Sequence, residues 1–527
     1  MPSGCDSSAS SRAPCTSLHY EHDNHYYQAQ HENARKFVRM EPGHFLWEFL
    51  PAPQDIPASE SLESVEVAFN LAGSRDREVD MYPDLVKAFQ AYCPALKFCD
   101  THRDPAYAGY VVIKPDISRY HRDSSSVAPE GPAENQKLAA VNLEEVEIIV
   151  EVKIKPGDDA FADEDGWPFE VTSTQGRDTR GQITMYAIAQ LADQHRTHCF
   201  SVLVVGTYAR LIRWDRAGAV VTSKFSYTRT PWLATFLHRY NYANAEVRGI
   251  DTSVYRLDNF DDKLIQSLKQ VAREMLEIPN TEPLYVFEIY GNTTGNTARF
   301  IGSRPCTRKT GYLTGRCTRC YKVYNPQSKE VQFMKDTWGV AAEGVLEEAT
   351  VYSKLRDAGV RNILTLVAAG HVRHRGSQNM QNTKTQDHAK QRNNRLESLR
   401  HCRLVFEECG KSLRRCETVG DMICVMRDAI IAHKDAYEKA KILHRDVSYG
   451  NIIMLWDGKG VLIDWDLAKS LDDPPPCQIE GNGTWHGNLY QRGCLWQRNR
   501  HHTYLRTTSN PSFTSSHCRF WSTLSTP

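Results

Sequence analysis

The chain has 527 residues, of which 41% are hydrophobic and 10% aromatic, a composition that suits two or three globular domains and excludes a wholly disordered polymer. Its 64 basic and 64 acidic residues cancel, so no global field draws it to nucleic acid or to an anionic membrane, and any such binding is local. No apolar run nears the roughly 18 residues of a membrane span, and the start MPSGCDSSASSRAPC has neither a signal-peptide core nor a glycine after the initiator.

These features point to an intracellular protein, in cytoplasm or nucleus. Fifteen cysteines, spread without a small-domain framework, fit reduced thiols. The CxxC from Cys317 to Cys320 has no second pair at finger spacing, so zinc is not expected.

Residues 1–60 are rich in Ser, His and Pro with little periodicity and are expected to be mostly disordered. From 61 to 245, apolar runs such as GYVVIKP, VEIIVEVKI and CFSVLVVGTYARLIRWD alternate with helical stretches such as YPDLVKAFQAY and GQITMYAIAQLA, which predicts an α/β domain. Two polar stretches, SRYHRDSSSVAPEGPAENQ and PGDDAFADEDGWPFE, read as surface loops. Residues 246–283 hold a helical connector, DDKLIQSLKQVAREML. A second domain of α+β type is expected over 284–485, broken by the apolar-poor loop HRGSQNMQNTKTQDHAKQRNNRLE, and 486–527 form an atypical tail.

Within the first domain, KPDIS places Asp116 at the end of an apolar strand. In EIIVEVKIK, Glu151 and Lys153 are two apart and so share a strand face. Two carboxylates and a lysine converging there make the PD(D/E)xK arrangement, in which carboxylates bind a divalent ion and lysine orients water. RGQITMYA adds Gln182 and Tyr186, one helical turn apart, similar to the helix that follows this core in RecB-like nucleases. Alternating charges on an amphipathic strand are ordinarily a solvated face, so the expectation is a nuclease-like fold without cleavage. Nucleic acid would be a partner through this domain or not at all.

The second domain carries the residue types that move a phosphoryl group. HRDVSYGN matches HRDxxxxN: Asp446 would orient an acceptor and take its proton, and Asn451 would reach the metal from the same loop. VLIDWD is strand-like and places Asp464 to chelate magnesium. Upstream, EVQFMKDTW puts Lys335 on a strand, and EEATVYSKLRDAGV is an amphipathic helix that places Glu348 to pair with it over nucleotide phosphates. RLVFEECGKSL reads as a strand running into the hinge that would receive adenine, with Glu407 to Gly410 as candidates. TGRCTRCYKV offers Gly315 for a nucleotide-covering loop but has Cys317 and Cys320 where later glycines would stand.

The strings TGRCTRCYKV, MKDTW, RLVFEECGKSL, ILHRDVSYGNI, LIDWDLAK and GNGTW, with EVEIIVEVKIK and RGQITMYA upstream, resemble the fungal-type protein kinase family over about four-fifths of the chain. The resemblance implies a bilobal kinase-like fold, ATP and Mg2+ as cofactors, and phosphorylation of protein Ser or Thr. Ser448 stands where most Ser/Thr kinases have lysine, and Trp465 and Asp466 replace the usual Phe and Gly. These departures leave room for a small-molecule acceptor, as in choline and aminoglycoside kinases, or for an inactive pseudokinase that serves interactions.

The family would supply a further C-lobe marked by HDLESFFYVL, which the tail lacks. Residues 486–527 contain no Asp or Glu, where the chain's average would give about five. RTTSNPSFTSS, Arg506 to Ser516, can be encoded so that reading from its third nucleotide yields HDLESFFYVL. The expectation is a C-lobe truncated by a frameshift or misplaced intron boundary near residue 486.

Overall fold

The longest apolar run of the sequence folds as two neighbouring strands at the centre of a sheet, both almost wholly buried. The computed structural model describes residues 29, 33–52, 69–103, 105–108, 111–121, 141–164, 166–260, 263–291, 297–307, 311–342, 345–389 and 396–472. The chain divides into two compact units, the first holding Met1–Asp251, Lys309–Cys317 and Thr383–Ser398 and the second holding the rest.

In the first unit the order is β1 (Phe37–Met40), α1 (Pro42–Phe49), α2 (Glu78–Tyr92), β2 (Leu96–Asp100), β3 (Ala106–Ala108), β4 (Val111–Ile113), β5 (Ile117–His121), β6 (Ile148–Lys153), α3 (Thr174–Asp193), β7 (His198–Val205), β8 (Tyr208–Asp215), β9 (Gly218–Thr222), β10 (Phe225–Ser226) and α4 (Trp232–Tyr242). The sheet runs β1-β9-β8-β7-β6-β5-β2, with β10 beside β8. Two pairs, β1 with β9 and β6 with β7, are parallel. Helices α1, α2 and α4 cover one face, where Phe45, Leu85 and Leu237 pack on Val150 and Val202. Helix α3 covers the other, its Ile183, Tyr186 and Leu191 packed with Ile149 and Leu203. Ser173 starts α3 by accepting from the Gly176 amide at 3.3 Å.

Two expectations are corrected here. The N-terminal segment expected to lack order contains β1 and α1, because β1 has a parallel partner and α1 buries Phe45, Leu46 and Phe49. SRYH, read as the start of a loop, is β5, with Ser118, Arg119 and Tyr120 buried. PGDDAFADEDGWPFE is exposed or half-buried loop over most of its length, as expected, tied down where Asp159 and Asp163 pair with the buried Arg210 at 2.9 and 3.0 Å. Residues 1–28, 122–140 and 473–527 lie outside the described residues, and with them the expected N-terminal disorder, the rest of the first loop, GNGTW and the tail.

The second unit begins earlier than expected. Its elements are β11 (Val254–Arg256), α5 (Lys263–Leu276), β12 (Tyr285–Tyr290), β13 (Thr297–Gly302), β14 (Arg319–Asn325), β15 (Glu330–Val340), α6 (Glu348–Asp357), β16 (Leu366–His371), β17 (Leu399–Phe406), β18 (Gly410–Ser412), α7 (Val419–Ala440), β19 (Ile442–Leu443), β20 (Ile452–Leu455), β21 (Gly460–Leu462) and β22 (Lys469–Ser470). A seven-stranded antiparallel sheet runs β11-β12-β13-β14-β15-β17-β16, followed by a small β18-β20-β21 sheet and a β19-β22 ladder. The expected connector helix, α5, therefore belongs to this unit: Ala272 and Leu276 pack with Ile301 and Tyr324.

The expected loop at 374–397 is divided between the units, and it buries polar groups. In the second unit Gln381 bonds His401 at 2.7 Å; in the first, Asp215 accepts from the amides of Lys384 and Thr385 at 2.8 and 3.1 Å.

Helix α7 is capped by Thr418, which accepts from the Asp421 amide at 3.0 Å, and it ends at Lys441 in the left-handed region. Its inner face presses on β21 so closely that a Cβ on Gly460 would lie 2.3 Å from the Val425 carbonyl oxygen. Gly460→Ala is therefore expected to cost about 1–3 kcal/mol, measured as a lower urea midpoint at unchanged slope.

Candidate active site

In the second unit Glu348, Asp464 and Asp466 gather around the amine of Lys335. Lys335 lies mid-strand on β15, opposite Cys320 of β14 and Leu404 of β17. Its Nζ bonds Glu348 Oε2 at 2.6 Å and Asp464 Oδ1 at 2.5 Å, and Asp466 Oδ2 stands 4.0 Å away. Burial works against the lysine's charge, but Asp464 and Glu348 outweigh it and the pKa is raised. Glu348 opens α6, where Val351, Tyr352 and Leu355 anchor the helix on the core.

Asp446, Asn451 and Asp464 are joined by backbone. Asn451 donates from its amide nitrogen to the Asp446 carbonyl at 2.9 Å and carboxylate at 3.1 Å, which leaves its Oδ1 as the acceptor of that side chain. The Ile463 amide donates to the Asn451 carbonyl at 2.9 Å, holding Asp464 beside the loop. His444 is buried; it receives the Asp446 amide on Nδ1 at 3.2 Å and faces the Ile463 carbonyl with Nε2 at 2.9 Å. That pattern fixes a neutral ring with the proton on Nε2, and burial lowers its pKa accordingly.

Trp465 is fully buried, edge-on to His444 with ring centroids 4.5 Å apart, and donates to the Leu462 carbonyl at 3.1 Å. Asp464 itself has φ 67°. An L-residue in that region is sustained by its surroundings, and these are the surroundings.

Of the hinge candidates, Glu407 closes the end of β17, its amide bonded to the Thr365 carbonyl at 3.0 Å. Gly410 pairs with Leu455, and a Cβ there would meet Met454 O at 2.9 Å, so its glycine serves the close approach of β18 to β20. Gly315 is the candidate for the nucleotide-covering loop. It falls in the segment that belongs to the first unit, with its amide bonded to the Arg216 carbonyl at 2.9 Å and φ 97°. Its glycine serves a left-handed turn there.

In the first unit Asp116, Glu151 and Lys153 do come together. Lys153 pairs with Glu151, while Asp116 accepts from Tyr82 at 2.7 Å and from the Val152 amide at 2.8 Å. Tyr82 also bonds Glu78, which brings a third carboxylate near. Burial pushes Asp116 up; burial and the Asp116 charge push Glu151 well up. Gln182 donates to the Tyr186 hydroxyl at 2.7 Å, which in turn donates to the Lys114 carbonyl at 2.9 Å, two residues before Asp116. Among the described residues, no set of three or more His, Cys, Asp or Glu side chains is disposed to hold a metal ion.

Trp465 and Asp466 were singled out in the sequence as departures from the usual Phe and Gly, whereas His444 was missed as a working part. Asp466 was legible as a carboxylate two residues beyond Asp464. What the sequence did not show is that Trp465 packs on His444.

The profile of the fungal protein kinase family matches residues 168–486, about three-fifths of the chain. The chain belongs to that family. Among solved structures, the ROP18 kinase domain in complex with AMP-PNP and sucrose is similar at 14% identity, covering 45% of this chain and 73% of that one with a TM-score of 0.25. No curated protein matches the chain. As a fungal protein kinase it is of a kind that uses ATP, usually with Mg2+, in phosphotransfer. No helix among the described residues is long and apolar enough to cross a membrane.

Proposed function

We propose that the second unit binds MgATP and transfers its γ-phosphoryl group to Ser or Thr of a protein inside the cell. The observation that carries this is the lysine held between Glu348 and Asp464, with Asp446 and Asn451 on one loop beside it. Lys335 would bind the nucleotide phosphates, and Glu348 keeps it aimed. Asp446 would accept a hydrogen bond from the acceptor hydroxyl and receive its proton. The Asp464 carboxylate and the Asn451 Oδ1 suit Mg2+, which asks for one or two carboxylates and shares the rest of its shell with phosphates and water. Bound there, the ion would neutralise charge on those phosphates.

A small-molecule acceptor is the second reading, and Asp466 favours it, since it adds a carboxylate within 4.0 Å of Lys335. Turnover is proposed to be weak or absent. Supporting this, Trp465 and Asp466 stand where the usual Phe and Gly would be, and residues 486–527 supply no acidic residue. An inactive kinase that serves interactions is the limit of this reading.

The first unit is read as nuclease-like in fold. Supporting this, α2, β2, β5, β6, α3 and β7 follow in that order, β5 pairs antiparallel and β7 parallel with β6, and Asp116 and Glu151 sit side by side. Cleavage is not part of the proposal.

The test uses the full chain. MgATP should raise its melting temperature, and labelled ATP should be offered with protein Ser/Thr acceptors and, in parallel, with choline and aminoglycosides. Absence of both a nucleotide-dependent shift and transfer would sink the enzymatic reading. Sequencing the transcript across the codons for Gly483 to Pro527 decides the frameshift: a message that restores HDLESFF establishes it, and one that encodes the printed tail rejects it.

A further inference from the structure

Arg119 lies mid-strand on β5 in the first unit and is 0% exposed. Its guanidinium carbon stands 5.1 Å from the ring centre of Phe98 on β2 and 4.8 Å from that of Tyr240 on α4. The three guanidinium nitrogens have no hydrogen-bond partner among the described residues. A guanidinium keeps its proton at any pH a folded protein meets, so five N–H donors and a full positive charge are shut away from water. The two rings ease the burial of that charge but neutralise none of it. Buried donors are otherwise paired with protein, water or an ion, and this set calls for such a partner.

The carboxylate of this neighbourhood is engaged elsewhere. Glu147 donates its amide to the Arg119 carbonyl at 2.7 Å, but its Oε2 accepts from Arg196 at 3.1 Å and from Tyr240 at 2.7 Å, and its Oε1 accepts from Arg248 at 3.3 Å. Burial opposes the Glu147 charge, yet Arg196 and Arg248 outweigh it and lower the pKa to about 2. Three guanidinium groups therefore meet one carboxylate, which leaves two positive charges in excess. Arg248 is 17% exposed and water screens part of its charge, whereas Arg119 has no such relief. Cys93 offers no anion either: burial pushes its thiol up to about 11, and its proton goes to the Leu237 carbonyl at 2.7 Å.

We propose that the Arg119 guanidinium holds a halide, chloride under ordinary conditions, as a structural ligand of the first unit. A halide only accepts, as these donors require. A water would also have to donate, and the Glu147 oxygens and the Leu237 carbonyl are already engaged. Full burial of Arg119 favours a monatomic ion over a phosphate or a carboxylate. The inference concerns the first unit alone and holds whether or not the second transfers phosphate.

The test is the melting of the full chain as sodium chloride replaces sodium gluconate at constant ionic strength, so that screening does not change and the replaced anion is too large for the site. The melting temperature should climb with the logarithm of chloride concentration, by about 3–6 °C per tenfold above the dissociation constant. Bromide should act likewise. Arg119→Met keeps an unbranched stem between the rings and removes the donors, so its melting temperature should be the same in both salts. A wild-type chain indifferent to chloride would assign the donors to buried water and overturn the proposal, as would a chloride response that survives in Arg119→Met. Should that variant fail to fold, crystals of the unaltered chain grown in bromide decide the matter: an anomalous peak beside the Arg119 guanidinium is expected, and its absence rejects the site.

Discussion

Lys335→Met is expected to lower MgATP-dependent phosphotransfer by about 10²–10³-fold, the loss typical of removing a preorganised charge from a reacting oxyanion. The same change leaves Glu348 and Asp464 without their shared cation, with Glu348 buried, so the nucleotide-free chain should also melt earlier. Two effects in one variant call for a companion. Asp446→Asn keeps the amide link to His444 and removes the proton acceptor, so it should retain the MgATP-induced rise in melting temperature and lose transfer. If Lys335→Met retains full transfer, Lys335 is not the phosphate ligand; if Asp446→Asn retains it, Asp446 is not the base.

Asp336→Ala should be the most damaging single change to the second unit, at about 3–5 kcal/mol. Its carboxylate is buried next door to Lys335 on β15 and points the other way, bonding His401 at 2.7 Å and Arg403 at 2.9 Å, with Arg319 at 3.8 Å. Arg403 is wholly buried and also donates to Ser253 and to the Glu288 carbonyl, so losing Asp336 strands a guanidinium that cannot reach water. Burial alone would raise the Asp336 pKa, but His401, Arg403 and Arg319 hold it well below the usual 3.8. A depressed carboxyl stabilises the fold above its unfolded value, so this contribution is complete at neutral pH. It should fade as pH drops below about 4, while Asp336→Ala should flatten that part of the acid-unfolding curve. A denaturant midpoint unchanged by Asp336→Ala would show that the network is not needed.

The parts of the site that a reader of the sequence could find are those set by short spacing. Asp446 and Asn451 share one turn of loop, and Glu151 and Lys153 share a strand face, so chain geometry alone brings each pair together. Lys335 and Glu348 are 13 residues apart and needed the additional assumption of a strand followed by an amphipathic helix. What could not be read depends on distant partners. β1 exists because residues 219–222 offer it a parallel edge, and nothing in the Ser-, His- and Pro-rich text around it signals that. Gly315 was taken for a phosphate loop from its place before a strand, whereas Leu313 beside it is buried in the core of the first unit. The Asp215 carboxylate that secures residues 384 and 385 lies about 170 positions upstream, beyond any local pattern.

The Trp465 indole under His444 has a consequence for control. In any rearrangement that swings Asp464, the proposed metal ligand, outward, the neighbouring side chain must leave its pocket. Here that side chain is a fully buried indole, which on the order of 200 Å² of apolar surface makes a displacement of roughly 5 kcal/mol. Its departure would also break the hydrogen bond to Leu462 and unseat the imidazole on which Asp446 rests. An inward-locked aspartate follows, and compounds that select an outward-turned segment should find this protein a poor target. Regulation, where it acts on this unit, has an easier handle in α6, whose displacement would withdraw Glu348 from Lys335 without extracting anything from beneath the catalytic loop.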